Sequence, residues 1–100
     1  MPYYLAEQGF DVWIGTSRGT SIPEYSDHTV FNSISDAASY WNYTIDTKSK
    51  YDFPAMINYI LENTPTKEID YIGHNVGASS ALMAMAYEPW LDKIKTVTVL

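Results

Sequence analysis

The chain has 100 residues, enough for one small domain with a modest core, and its 46% hydrophobic and 15% aromatic content is that of a folded protein rather than a disordered tail. Twelve acidic against six basic residues give a net charge of -6, which argues against a nucleic-acid partner and does not favour an anionic membrane surface. There is no cysteine, so neither a disulfide nor a thiolate metal site can form, and the compartment is left open.

Met1 to Phe10 carries Glu7 and has neither a basic start nor an apolar run of export-signal length. Tyr3 to Gln8 reads as the last turns of a helix stopped by Gly9. A strand is predicted over Phe10-Asp11-Val12-Trp13-Ile14-Gly15, which is rich in aromatic and β-branched residues. A chain that opens on the tail of a helix reads as a piece of something longer, with Met1 an internal methionine. Thr16 to Asp46 is polar and aromatic without sustained period and holds Gly19 and Pro23, so it predicts a long loop with room for one short helix. Within it Asn42-Tyr43-Thr44 fits the N-glycosylation acceptor pattern, whereas Asn63-Thr64-Pro65 does not. Asp46 to Lys50 can form a helical turn, after which Asp52 stands where an N-cap would and Pro54 falls inside the first turn of the next helix. Phe53, Met56, Ile57, Ile60 and Leu61 share one face of that helix, a core stripe that must cover a sheet, and the helix stops near Asn63-Thr64-Pro65.

Glu68 to Ile72 alternates charged residues with β-formers and reads as a strand; Gly73-His74-Asn75-Val76-Gly77 follows, and then a run of small and apolar residues. Strand, sharp turn and helix are the layout of the Gly-x-Ser-x-Gly nucleophile elbow, in which glycines two before and two after the central residue let the helix cross close to its strand. Here the central residue is Asn75. A carboxamide nitrogen has its lone pair delocalised and no acidic proton to surrender near neutral pH, so the frame is present without its nucleophile. The helix is expected to run to Glu88-Pro89, and Ile94 to Leu100 reads as a last strand. The charge-free stretch Gly73 to Tyr87 has 15 residues, too short for a transmembrane segment and better suited to a buried helix. Strand, helix, strand, helix, strand predicts an α/β fold with parallel strands joined by right-handed crossovers.

Four blocks resemble the acid lipases of the α/β-hydrolase fold, a family that includes gastric and lysosomal acid lipases and fungal steryl ester hydrolases. They are Gly9-Phe10-Asp11-Val12-Trp13-Ile14-Gly15, Ser17-Arg18-Gly19, Lys50-Tyr51-Asp52-Phe53-Pro54-Ala55, and Tyr71-Ile72-Gly73-His74 with Gly77. The order and spacing are the family's, and the likeness covers nearly the whole chain. It implies that residues 1-100 are a partial hydrolase domain, with parts missing at both the N- and C-terminal sides, and that the parent acts on triacylglycerols or steryl esters through a Ser-Asp-His triad without a cofactor. Asn75 then occupies the nucleophile position and Val76 contributes one oxyanion N-H, with Gly73, His74 and Gly77 completing the elbow. The resemblance places the second oxyanion donor before Met1 and the triad's acid and base after Leu100, so the chain as it stands is expected to be inactive. Family members are often secreted, lysosomal or lipid-associated, which leaves this chain's compartment open.

Other residues have plainer readings. His74, adjacent to the central elbow residue, is expected to point away from it and to serve the structure, and His28 is a loop histidine with no second imidazole at metal-ligand spacing, so no metal site is predicted. Arg18 is expected to tie its loop to the core rather than to face a ligand. Gly73 to Gly77 also fits a GxxxG helix-pairing spacing, but no apolar 20-mer surrounds it. A nucleotide-binding domain is set aside, because the turn lacks both the Gly-x-Gly-x-x-Gly spacing and the P-loop lysine. The competing function is a non-catalytic relative that keeps the scaffold for lipid or protein binding.

Overall fold

The computed structural model describes residues 1-19, 34-87 and 92-100. Its elements are α1 (Pro2–Glu7), α2 (Ile34–Trp41), α3 (Ile45–Thr47), a π-helical turn (Lys48–Asp52), α4 (Phe53–Asn63), β1 (Ile69–Gly73), α5 (Val76–Tyr87) and β2 (Ile94–Val99). α1 ends as predicted, with Gly9 at φ 91 donating its N-H to Ala6 O. α4 ends at Thr64, which is extended; the Asn63 and Thr64 side chains turn back to donate to Tyr59 O and Ile60 O, two of the last carbonyls of the helix. The predicted end of α5 at Glu88-Pro89 lies outside the described residues, and so does most of the loop that includes Pro23 and His28.

β1 and β2 pair in parallel, with Tyr71 opposite Val97 and Gly73 opposite Val99 and a register shift between Ile69 and Asp70. α4 and α5 pack with this sheet through a small core. Phe53 and Ile57 of α4 are fully buried against Ala81 and Ala84 of α5 and Ile94 of β2, and Leu61, Ile69, Tyr71, Met85 and Val97 close around them. Bulky residues on one helix meet alanines on the other, which is how the two can approach; Phe53 and Ile57 each gain about 1.5–3 kcal/mol by leaving water. The predicted stripe on α4 is therefore the core face, with Met56, Ile60 and Leu61 half-buried at its margins. α5 is apolar on every side, yet Leu82 remains 55% exposed, so one flank of a helix composed for burial is uncovered.

Two expectations are corrected. Phe10 to Gly15 is not a strand, because β conformation needs a ladder to satisfy its N-H and C=O groups, and the only sheet among the described residues is the β1-β2 pair. The segment instead runs beside α4, with the Trp13 and Tyr59 rings edge to face at 6.0 Å and Gly15 so near the Met56 sulfur that a Cβ would collide with it. Phe10 and Ile14 are left 61% and 70% exposed. Asp52 is not an N-cap: its backbone is helical (φ -72, ψ -46), because the path from Ile45 to Asn63 is helical throughout and passes the π-turn without a break. The buried Ser49 in that turn donates its hydroxyl to Ile45 O at 2.8 Å.

β1 and α5 are joined by one side-chain bond, from the Tyr71 phenol to Gly77 O at 3.0 Å. Burial pushes that phenol above its ordinary value of 10.0. With the folded pKa raised, the stabilising effect of the neutral phenol is complete below pH about 10 and is lost as pH rises through the folded value. In a spectrophotometric titration the absorbance step present in wild type and missing from Tyr71→Phe should be centred above pH 10; a step at or below it would show that Tyr71 is not buried against the helix. The core also sets an expectation for the whole chain. Among the described residues, three of the six buried hydrophobic ones are alanine, while Phe10, Trp13 and Ile14 stay exposed. The 100-residue chain should therefore bind a hydrophobic dye in plain buffer and melt over a broad range, whereas a sharp two-state melt of a dye-free monomer would overturn this.

Candidate functional site

The site grows out of the turn between β1 and α5. β1 ends at the buried Gly73, and α5 begins at Val76. A Cβ on Gly73 would lie 2.7 Å from both Cα and N of Ala78 and 2.9 Å from C of Gly77. These are backbone atoms that cannot step aside, so only glycine fits. Gly77 is different, since a Cβ there would meet only the Tyr71 hydroxyl, at an ordinary 3.5 Å. The predicted symmetrical need for two glycines is thus a need for one, and Gly77 serves through its carbonyl. The GxxxG reading also falls, because Gly73 is in a strand.

Between them Asn75 sits at φ 52, the only non-glycine residue with positive φ among the described residues. Asparagine enters this left-handed region at less cost than most side chains. The turn is held from both ends. Asn75 N-H donates to Leu100 O at 3.0 Å and Leu100 N-H donates to Gly73 O at 2.9 Å, so the chain beyond β2 clasps the turn in continuation of the sheet. Asn75 O accepts the Ser79 N-H at 3.1 Å, and His74 O accepts the Gly77 N-H at 3.0 Å, which starts the helix. His74, Asn75 and Val76 are all exposed. Val76 opens α5, where backbone N-H groups have no carbonyl one turn back, so an oxygen above the turn would meet both free donors and the positive end of the helix. The Asn75 carboxamide can donate and accept hydrogen bonds there but cannot be deprotonated into a nucleophile.

Arg18 does what its sequence position suggested. It meets Asp52 with its backbone N-H (3.0 Å to Oδ2), its Nε (2.8 Å to Oδ1) and its Nη2 (2.6 Å to Oδ1), while its guanidinium lies 6.0 Å from the Tyr51 ring centre. The bond to Asp52 holds the arginine above its ordinary pKa, and the group is committed to the fold rather than to a ligand. A second tie joins the helices: Asp46 accepts from the Tyr87 hydroxyl at 2.6 Å and pairs with Lys50 at 3.1 Å, and Lys50 lies 4.9 Å from the centre of the Tyr87 ring. The bond from Tyr87 and then that from Lys50 lower the Asp46 pKa. The Arg18-Asp52 and Tyr87-Asp46 pairings and the clasp by Leu100 were not visible in the sequence, because their partners are far apart along it, whereas Asp46 and Lys50 are only four residues apart. His74 is the only histidine among the described residues, and no group of metal-ligating side chains occurs among them. No helix among them is long and apolar enough to cross a membrane.

Known proteins similar to this chain include lipases. Gastric triacylglycerol lipase of Rattus norvegicus is 38% identical over 96% of this chain and 24% of its own length. A tear acid lipase-like protein of Mesocricetus auratus is 42% identical over 95% of this chain and 23% of its own. A probable lipase of Schizosaccharomyces pombe is 34% identical over 94% of this chain and 20% of its own. The chain thus spans under a quarter of the length of these curated relatives. No protein-family model matches it, and no solved structure does. The similarity extends over nearly all of the chain in mammalian and fungal lipases alike, as the four sequence blocks implied, and this chain is a relative of the acid lipase family.

Proposed function

We propose that this chain is the nucleophile-elbow segment of an α/β-hydrolase domain built for lipid esters, and that with Asn75 at the nucleophile position it does not itself hydrolyse them. The observation that carries this is the conformation of Asn75: exposed, at positive φ, between a parallel strand and the first turn of a helix. An ester carbonyl placed over this turn would find a backbone N-H at Val76 for its oxyanion and a carboxamide where a hydroxyl is required. The names of the relatives support triacylglycerol or a similar lipid ester as the parent's substrate. The second reading, a non-catalytic scaffold that binds lipid or protein, is favoured by the same residue, since Asn75 keeps the turn and removes only its reactivity.

Restoring serine leaves two defects. A serine hydroxyl needs a base within hydrogen-bond reach, a contribution of about 100- to 10,000-fold, and the chain's histidines are only His74 beside the turn and His28 in the loop sequence. The resemblance assigns no second oxyanion donor to positions 1-100, and loss of one such donor costs about 100-fold or more in an otherwise complete enzyme. Purified wild-type and Asn75→Ser chains should therefore both turn over a short-chain chromogenic ester at the buffer rate. Serine-dependent turnover well above that rate, abolished by His28→Ala or His74→Ala, would mean that a base has been recruited from within these residues and would sink the proposal of inactivity.

A further inference from the structure

The Asn42-Tyr43-Thr44 triplet has no part in the turn chemistry, and its setting suits a different event. We infer that Asn42 is the acceptor of an N-linked glycan. The triplet lies in the non-helical link between α2 and α3, with Asn42 and Thr44 exposed and Tyr43 half-buried between them. Tyr43 acts as the anchor: its hydroxyl fills the space beside Gly19 where a Cβ would stand, its ring lies 6.1 Å from that of Trp41, and the Lys48 ammonium lies 5.2 Å from its centre. Thr44 is extended, at φ -124 and ψ 177. Its backbone N-H donates to Thr47 Oγ1 at 3.2 Å, which starts α3. The Asn42 carboxamide has no hydrogen-bond partner among the described residues, although its backbone N-H is held by Ser39 O at 3.3 Å. A glycan added there displaces no core contact.

The neighbouring residue supplies a surface for the first sugar. Trp41 is 55% exposed and its ring is fixed edge to face against Tyr40 at 4.9 Å, so an indole stands in the open immediately before the acceptor. The apolar C-H face of a pyranose packs on such a ring, which covers hydrophobic area that otherwise meets water. In the reaction the Asn42 Nδ2 bonds to the anomeric carbon of the first sugar of a lipid-pyrophosphate-linked oligosaccharide. The bond from that carbon to the pyrophosphate oxygen breaks, the lipid pyrophosphate leaves, and the amide gives up one proton. Lipid-linked donor and transferase meet the chain only in a secretory lumen, so the inference also assigns the chain's route.

Asn42 is the only acceptor triplet in the sequence, so any enzymatically removable N-glycan must sit there. Cell-free translation with endoplasmic-reticulum microsomes, using a cleavable leader, should give one glycosidase-sensitive mobility shift in the protease-protected wild-type chain and none in Asn42→Gln or Thr44→Ala. In the native protein, enzymatic deglycosylation in heavy-oxygen water should leave a labelled aspartate at Asn42 in the tryptic fragment running from Gly19 to Lys48. A protected wild-type chain without a shift, a shift that survives Asn42→Gln, or a native fragment with unmodified Asn42 would each overturn the inference.

Discussion

The backbone of β1 and the first turn of α5 meet at Gly73 more closely than any side chain allows. With Ala78 Cα and N both 2.7 Å from where a Cβ would be, even a methyl group would force the helix off the strand, an overpacking that costs about 1–3 kcal/mol. Most of the remaining architecture follows from that approach. It puts the Tyr71 hydroxyl within 3.0 Å of Gly77 O, and it brings Ala81 and Ala84 down onto Phe53 and Ile57. A helix carrying larger residues at those positions could not lie so near the sheet, and the π-turn that feeds α4 would have nothing to pack against. The alanine content of α5 is thus a requirement of the approach at Gly73 rather than a sign of a weak helix.

Charged groups then fasten what the core is too small to hold. Asp52 takes three donors from Arg18, two of them side-chain and one backbone, and so fixes the chain after Phe10 to Gly15 against the start of α4 although no strand forms there. The pairing is partly sheltered, with the aspartate side chain 11% exposed; Oδ1 accepts from both Nε and Nη2 of the guanidinium, and Oδ2 accepts the Arg18 backbone N-H. Asp46 has a weaker part. It lies in solvent, and its tie to Tyr87 and Lys50 links α3 to the end of α5 through contacts that salt would screen. The lowered pKa of Asp46 means that its contribution, present above the ordinary carboxylate value, fades as pH falls through the lower folded value.

How much of this was legible depends on whether the information is local. The turn could be read because glycines, asparagine and the change from two-residue to helical periodicity all fall within Glu68 to Tyr87. The stripe on α4 could be read for the same reason, since Phe53 and Ile57 are one turn apart. Phe10 to Gly15 misled, because β-branched and aromatic content reports suitability for a sheet and not the presence of a neighbouring strand. Asp52 misled in another way: a short acidic residue before a proline looks like a cap, but an arginine 34 positions earlier claims its carboxylate and the helix runs straight through it. The motif pairs Gly77 with Gly73, but backbone contact demands glycine at Gly73 and not at Gly77, a difference set by the distance of each from its packed neighbours.

The same contrast bears on what an asparagine at the turn means. A residue held at φ 52 is ordinarily strained by about 1–3 kcal/mol, and in a hydrolase that strain accompanies the exposure of a hydroxyl. Asparagine adopts the conformation at lower cost, so Asn75 suits the turn, although its carboxamide cannot be deprotonated into a nucleophile. The hydrogen bonds that hold the turn nevertheless use only the backbone of the residue at its tip. Its geometry is imposed by Gly73 against Ala78 on one side, by Tyr71 against Gly77 beneath, and by the two hydrogen bonds to Leu100 at its flank. On the function proposed above, the backbone that would present a nucleophile and the side chain that would be one are separable, because the contacts that shape the turn do not use the Asn75 side chain.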